Sequence, residues 1–368
     1  MGVGLAVGGA ACPSPRKSPT GASGQRERGR DGDRGEECDA CHPSRLRSCR
    51  ASVEPRERGL PRVSPRLGGC RGRPYRGAHV PRPRPPSPLV SAQWLADHLG
   101  ADGLLVVDAS VVGFAGPDGG SGYLSGHEQY LLEGHIPGAV FADLIDEFSD
   151  PEGPHPFTRP GAGRFAAAAG ALGVGDGTTV VVYDTAHGQW AARFWWLLRA
   201  FGFDDVALLD GGLTTWRTEG RALDLGHVEP VPRAFTPHER PELWVDKDYV
   251  EGVVEGRHDS ALVCATPPAE FTGEASPRPR AGRIPGSSSA PAARLVDRDR
   301  RTYLDRDALS GILAPVLGAP RIVTYCGGGI AAASAAFALT LLGERSVAIY
   351  DGSLNEWTAD PDAALVTG

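Results

Sequence analysis

Methionine is almost absent from this chain. Met1 is the only one in 368 residues, and the 38 basic residues are nearly all arginine, with lysine only at Lys17 and Lys247. Translated GC-rich DNA gives that bias, so one reading of the opening residues is a mis-called start, with the native chain expected to begin at a valine-coded position such as Val80 or Val90. Long apolar runs are missing too. None approaches the roughly 20 residues that a membrane-spanning helix needs, which argues against a membrane partner. The opening "MGVGLAVGGAAC" has no basic n-region, and its apolar stretch is short and broken by glycine, so it does not read as a signal peptide. A transit peptide would hold fewer acidic residues. The expected location is cytoplasmic.

Cysteine is scarce where the chain can fold. Five of the seven (Cys12, Cys38, Cys41, Cys49 and Cys70) fall in the first 88 residues, leaving Cys264 and Cys326, which is no disulfide framework. "CDACH", from Cys38 to His42, matches a haem-attachment pattern, and Cys38, Cys41 and Cys49 have a zinc-like look. Without a folded context chance explains both, so no metal and no cofactor are expected. Residues 1–88 also carry 18 Arg and Lys against 8 Asp and Glu, whereas residues 89–368 carry 20 against 37. Rich in Arg, Pro, Gly and Ser, almost free of aromatics and without a period of 3.6 or 2, the first segment is expected to be a disordered leader. It has neither interleaved aromatics nor a nucleic-acid module, so no nucleic-acid partner is expected.

What is present is a repeat. "GHIPGA" (134–139) returns as "GRIPGS" (282–287), and "VVYDTAHGQWAARFWWLLRAFGFDDVALLDGGLTTW" (181–216) returns as "IVTYCGGGIAAASAAFALTLLGERSVAIYDGSLNEW" (322–357). A duplicated domain is the simplest cause. Within a copy, "LLVVDAS", "TTVVVYD" and "DVALLDG" read as buried strands, and "GRFAAAAGALG" and "ARFWWLLRAFG" as the helices between them. Strands of nearly continuous Val, Ile and Leu imply a parallel sheet covered on both faces, an α/β architecture. Ligands of such sheets bind outside the carboxyl ends of the strands, where Asp184 and Cys326 stand. The proline-bearing, non-periodic stretch 226–242 reads as a linker between domains at 89–225 and 243–368.

Cys326 stands between the strand "RIVTY" and an Ala-rich helix and is followed by three glycines. Two readings are open. A thiolate there is stabilised by the helix dipole and by N–H groups that Gly327, Gly328 and Gly329 can turn inward. Alternatively, Cys326 is a small hydrophobe at a strand end and the glycines serve a tight turn. A cysteine phosphatase would need an arginine six residues after the cysteine, and Ala332 stands there.

"VSAQWLADHL", "GHIPGAVFADL", "VVYD", "WWLLRAFG" and "LLDGGL", followed by "YCGGGIAA" and "YDGSLNEW", together resemble the tandem-domain rhodanese, thiosulfate and 3-mercaptopyruvate sulfurtransferase family. The resemblance runs from about Val90 to Gly368. It implies two rhodanese-like α/β domains, each a mainly parallel sheet with helices on both faces. The first is non-catalytic, with Asp184 in place of the cysteine. The second carries a persulfide-forming Cys326 and an active-site loop of Gly327, Gly328, Gly329, Ile330 and Ala331. It implies a small-molecule sulfur donor and a thiol or cyanide acceptor. The pattern breaks at the donor site. The family has an arginine before an aromatic residue early in the second domain, and here Glu270 precedes Phe271, a carboxylate that repels an anionic donor. Thr266 replaces another arginine, and Arg283 replaces the usual histidine of "GHIPG". Arg278, Arg280 and Arg283 are the candidates to supply the missing charge; solvated loop residues are the other reading. Gly328 stands where a hydroxyl is usual, and Asp146 and His155 lie near the first domain's expected contributors. Cys264 is expected to be structural, Asp184 a cap, and Trp190, Arg193, Trp195 and Trp196 packing between the copies. The rival function is a catalytically weak binding or regulatory module with a degenerate donor site. Oligomeric state is left open.

Overall fold

The computed structural model describes residues 82–115 and 121–368. The leader as far as residue 81, with its five cysteines, "CDACH" and Val80, lies outside the described residues.

The apolar runs form two five-stranded parallel sheets. The first is built from β1 (Leu89–Val90), β2 (Leu104–Asp108), β5 (Val140–Phe141), β6 (Thr179–Tyr183) and β7 (Val206–Leu209), in the order β1-β7-β6-β2-β5. Between β2 and β5 an antiparallel hairpin, β3 (Val111–Ala115) and β4 (Ser121–Ser125), stands outside either sheet. The second sheet uses β8 (Trp244–Val245), β9 (Ala261–Cys264), β10 (Ser287–Ser289), β11 (Ile322–Tyr325) and β12 (Val347–Tyr350), in the order β8-β12-β11-β9-β10. Strand for strand this is the first order again, and every neighbouring pair in both sheets is parallel.

The duplication extends to single hydrogen bonds. Tyr183 Oη accepts the N–H of Ile136 at 3.2 Å, and Tyr325 Oη accepts that of Ile284 at 3.1 Å. The indole of Trp216 donates to Ala222 O and that of Trp357 to Ala364 O, both at 2.8 Å. Arg283, which takes the place of His135, bridges Val366 as His135 bridges Asp224. These bonds fasten each sheet to the chain that leaves it.

Two helices join the copies. Gln189–Ala200 buries ten of its twelve residues and Ile330–Leu342 ten of its thirteen, so neither has a solvated face. The first helix supplies bulk (Trp190, Phe194, Trp195, Trp196) and the second mainly alanine, so large side chains meet small ones. Phe337 is the exception, edge-on to Trp195 with ring centroids 4.8 Å apart and 5.0 Å from Tyr303. Asp210 of the first copy accepts the N–H of Tyr303 of the second at 2.8 Å. The result is one apolar cluster spanning both sheets.

Residues 82–88, counted above with the leader, are fastened to the first sheet. Arg82 pairs with Asp205 at 2.5 Å and donates to Thr178 O at 2.8 Å, and Pro88 O accepts from Leu208 N–H. The 226–242 stretch is a strap along the first domain: Arg233 N–H bonds Gly170 O, His238 N–H bonds Phe201 O, and Phe235 packs on Phe165. Its irregular sequence satisfies its backbone against a neighbour instead of within itself. Among the described residues no helix is long and apolar enough to cross a membrane.

Because Phe337 fills the joint between the copies and is fully buried, Phe337→Ala is expected to lower stability by about 3–5 kcal/mol. Chemical denaturation should show one transition moved to lower denaturant, since the apolar cluster is shared.

Candidate active site

Cys326 follows β11 directly, so its place is set by the strand. Side chains alternate along a strand: Tyr325 and its neighbour Cys264 enter the cluster on one face of the sheet, while Cys326 and Ala265 belong to the cluster on the other. Cys326 is 3 % exposed and lies at a cleft of about 900 Å³ between the two copies. The second copy lines this cleft with Thr266, Pro267, Glu270, Arg278, Asn355 and, from the cysteine loop, Cys326, Gly327, Gly328, Ile330 and Ala331; the first with Tyr123, Asp146, Asp150, His155, Phe157 and Trp190, among others.

The loop is clamped from behind by one hydroxyl. Ser353 Oγ accepts the N–H of Cys326 at 3.1 Å and of Gly329 at 3.2 Å, and donates to Tyr350 O at 2.7 Å. Leu354 N–H and Asn355 N–H reach back to the carbonyls of Cys326 and Gly327. Ser353 has φ +50°, a left-handed value uncommon for a residue with a side chain. The equivalent residue of the first copy is Gly212, at φ +51°. A serine therefore holds a conformation suited to glycine, and its hydroxyl collects two N–H groups of the cysteine loop.

Gly329 caps the following helix at φ +80°, and a Cβ there would stand 3.0 Å from both Arg193 Nη1 and Asp351 Oδ1. Arg193 comes from the first copy, is 2 % exposed, and donates to Phe157 O at 2.8 Å. Its Nη2 lies 2.7 Å from Asp351 Oδ1, yet that oxygen has no hydrogen-bond donor aligned on it. The contact is Coulombic, and Nη1 has no partner among the described residues beside Gly329. The other oxygen of Asp351 accepts Arg159 N–H at 2.8 Å. Phe157, at φ +63°, carries this bend of the first copy into the cleft.

Asp184 does alone what the cysteine loop leaves open. Its carboxylate accepts four backbone N–H groups, from Ala186, Gly188, Trp190 and Ala191, at 2.8–3.0 Å. The second copy's loop is one residue shorter. Neither Gly327 N–H nor Gly328 N–H has an acceptor among the described residues.

The three arginines separate. Arg278 stands at the cleft, ion-paired with Glu270 and with Nη1 3.0 Å from where a Cβ on Gly327 would be. The expected repulsion by Glu270 is thus offset by its neighbour. Arg280 does not line the cleft; it donates to the carbonyls of Asp360 and Ala363. Arg283 lies over the ring of Phe271 at 4.3 Å and donates to Gly368 O at 2.8 Å. Both bind carbonyls near the C-terminus, and neither of these two candidate donor-binding residues lines the cleft. Asp146 and His155 do reach the cleft, and Ala332 is buried in the helix. Sequence reasoning missed Ser353, Asn355 and Tyr123. A serine aligned with Gly212 was the one visible signal. Cys264 is fully buried, its thiol pushed up mainly by desolvation, with Sγ 3.1 Å from Thr266 Oγ1. Among the described residues no cluster of His, Cys, Asp or Glu could hold a metal.

The Rhodanese-like domain family model matches residues 91–219 and 250–360. The chain is 35 % identical to the 3-mercaptopyruvate sulfurtransferase of Escherichia coli K12, over 74 % of this chain and 96 % of that protein. It is 36 % identical to the Homo sapiens 3-mercaptopyruvate sulfurtransferase, over 76 % and 95 % respectively. The crystal structure of SseA, a 3-mercaptopyruvate sulfotransferase from Escherichia coli, superposes with a TM-score of 0.64 at 32 % identity, covering 72 % of this chain and 98 % of that one.

Removing the clamp should be costly, because it leaves two loop N–H groups buried without acceptors. Ser353→Ala is expected to lower stability by about 1–3 kcal/mol in denaturant titrations. A second expectation concerns Asp108, the first copy's counterpart of Cys264. Burial raises its carboxyl from the ordinary 3.8 to about 6, against hydrogen bonds from Ser110. The folded state then binds more protons than the unfolded state between those two values, so this group costs stability above about pH 6 and returns it as pH falls towards 4. Asp108→Asn is expected to stabilise at pH 7.5 by on the order of 3 kcal/mol, a gain that disappears by pH 4 in unfolding measurements.

Proposed function

This chain belongs to the family built of rhodanese-like domains, and from that premise we propose that Cys326 is the nucleophile of a sulfurtransferase using 3-mercaptopyruvate or thiosulfate. Residues 89–225 and 243–368 are the two domains in this reading, the second carrying the chemistry and 226–242 the strap between them. The observation that carries it is one cysteine at the mouth of a buried helix, at an interdomain cleft, with Gly327 and Gly328 N–H groups uncommitted.

The Cys326 thiolate attacks the transferable sulfur of the donor. With 3-mercaptopyruvate the carbon–sulfur bond breaks and pyruvate leaves as its enolate; with thiosulfate the sulfur–sulfur bond breaks and sulfite leaves. The persulfide on Cys326 is then attacked at its outer sulfur by a thiolate or by cyanide, and Cys326 departs as a thiolate. Free N–H groups and the helix N-terminus favour the negative sulfur at both stages. Arg278, beside Gly327, is the cation closest to this chemistry among the three arginines weighed above. A nucleophile that must stay reduced suits the cytoplasm.

The rival reading, a weak binding module, rested on Glu270, Thr266 and Arg283. Glu270 is paired and Arg283 serves the C-terminal chain, so neither speaks for a ruined donor site. Intact mass of the reduced protein before and after each donor tests the proposal: a gain of one sulfur, about 32 Da, is expected, absent in Cys326→Ser and discharged by cyanide or a thiol. Folded, reduced protein that takes up no sulfur from either donor would favour the binding module.

A further inference from the structure

Tyr123 enters the cleft from an element that belongs to neither parallel sheet. It stands on β4, paired with Gly113 across the hairpin. Its ring is edge-on to Trp190 and Phe157, with centroids 5.3 and 5.4 Å away, which packs it against the first copy's wall of the cleft. The neighbouring Gly122 has no side chain, and the Phe114 ring lies over it, where a Cβ would come within 2.4 Å. The hairpin thus sends the Phe114 and Tyr123 rings to opposite faces, and of the two Tyr123 lines the cleft.

Three hydroxyl side chains line this cleft, and two are committed. Ser149 donates to Leu144 O at 2.6 Å, and Thr266 is engaged with Cys264. The hydroxyls of Tyr130, Tyr183, Tyr249 and Tyr325 all have partners. Among the described residues, those of Tyr303 and Tyr350 have none but do not line the cleft, whereas that of Tyr123 has none and belongs to a ring that lines the same cleft as Cys326. Burial, and then the nearby Cys326 and Glu270, push the phenol up, so it keeps its proton at neutral pH and remains a donor.

Resting on the sulfurtransferase reading, we propose that Tyr123 donates a hydrogen bond to the keto oxygen of a 2-keto-3-thiol donor as its carbon–sulfur bond breaks. Cys326 sulfur bonds to the donor sulfur, and the electron pair of the carbon–sulfur bond moves into the keto group, giving an enolate whose carbon takes a proton from water. The sulfur is oxidised to the sulfane level and the carbon it leaves is reduced by the same pair, so no outside oxidant enters. Tyr123 keeps its proton throughout. Sulfite leaving thiosulfate carries its charge on the same oxygens before and after, and has no new oxyanion for Tyr123 to meet.

The two donors therefore supply the test. In Tyr123→Phe the ring packing stays, and persulfide loading of the full chain is followed by rapid-quench mass measurement with each donor. With 3-mercaptopyruvate, kcat is expected to fall about 10²-fold with KM within about threefold, while thiosulfate loading stays within about twofold of wild type. Equal loss with both donors, a rise in KM alone, or no loss would each overturn the assignment while leaving Cys326 as the nucleophile. A wild-type protein that loads from thiosulfate only would also overturn it. Loading from neither donor would remove the sulfurtransferase reading with it.

Discussion

The cysteine loop depends on the hydroxyl of Ser353. Two of its backbone N–H groups point away from the cleft and into that one oxygen, which fixes the curl of the chain between Cys326 and Gly329. Strain at φ +50° is tolerated because three hydrogen bonds converge there and the residue is fully buried. Asp351 and, from the other copy, Arg193 pair with each other against Gly329 and leave it no room for a side chain. The position of Cys326 is therefore over-determined by groups that do not line the cleft.

Duplication explains why so much support is at hand. Both copies end the same strand in a loop whose N–H groups turn inward at a helix start. In the first, a carboxylate of the chain itself satisfies four of them, and that loop is closed. In the second, a cysteine in a loop one residue shorter leaves donors free. One copy has become the wall and brace of the other: its tryptophan-rich helix meets the alanine-rich one, and its bend at Phe157 and its hairpin close the cleft.

The fold was legible because it is written twice, in strands of Val, Ile and Leu and in repeated tyrosine and tryptophan positions. The placement of Cys326 at a strand end was legible from the glycines that follow it and from its place in the repeat. Guanidinium destinations were not. Arg278, Arg280 and Arg283 are close in sequence, but where each long side chain ends depends on which carboxylate or carbonyl is within reach, and two of the three turn to the C-terminal segment. Tyr123 was hidden for another reason: "GFAGPDGGSGYLSG" has the look of a loop, and only pairing with β3 carries the ring into the cleft. The positive φ of Ser353 has no compositional signature at all, since it is imposed by its partners.

The two folded-region cysteines lie on adjacent strands, yet on opposite faces of the sheet. An intramolecular disulfide would need their β-carbons turned towards each other. On the proposed chemistry, Cys264 thus has no route to an outer sulfur carried by Cys326, and among the described residues no second thiol could take it. A sulfur held there would sit as charge sits on a capacitor and not as on a relay: its lifetime would be set by the arrival of a partner from solution, and by the width of the cleft between the copies.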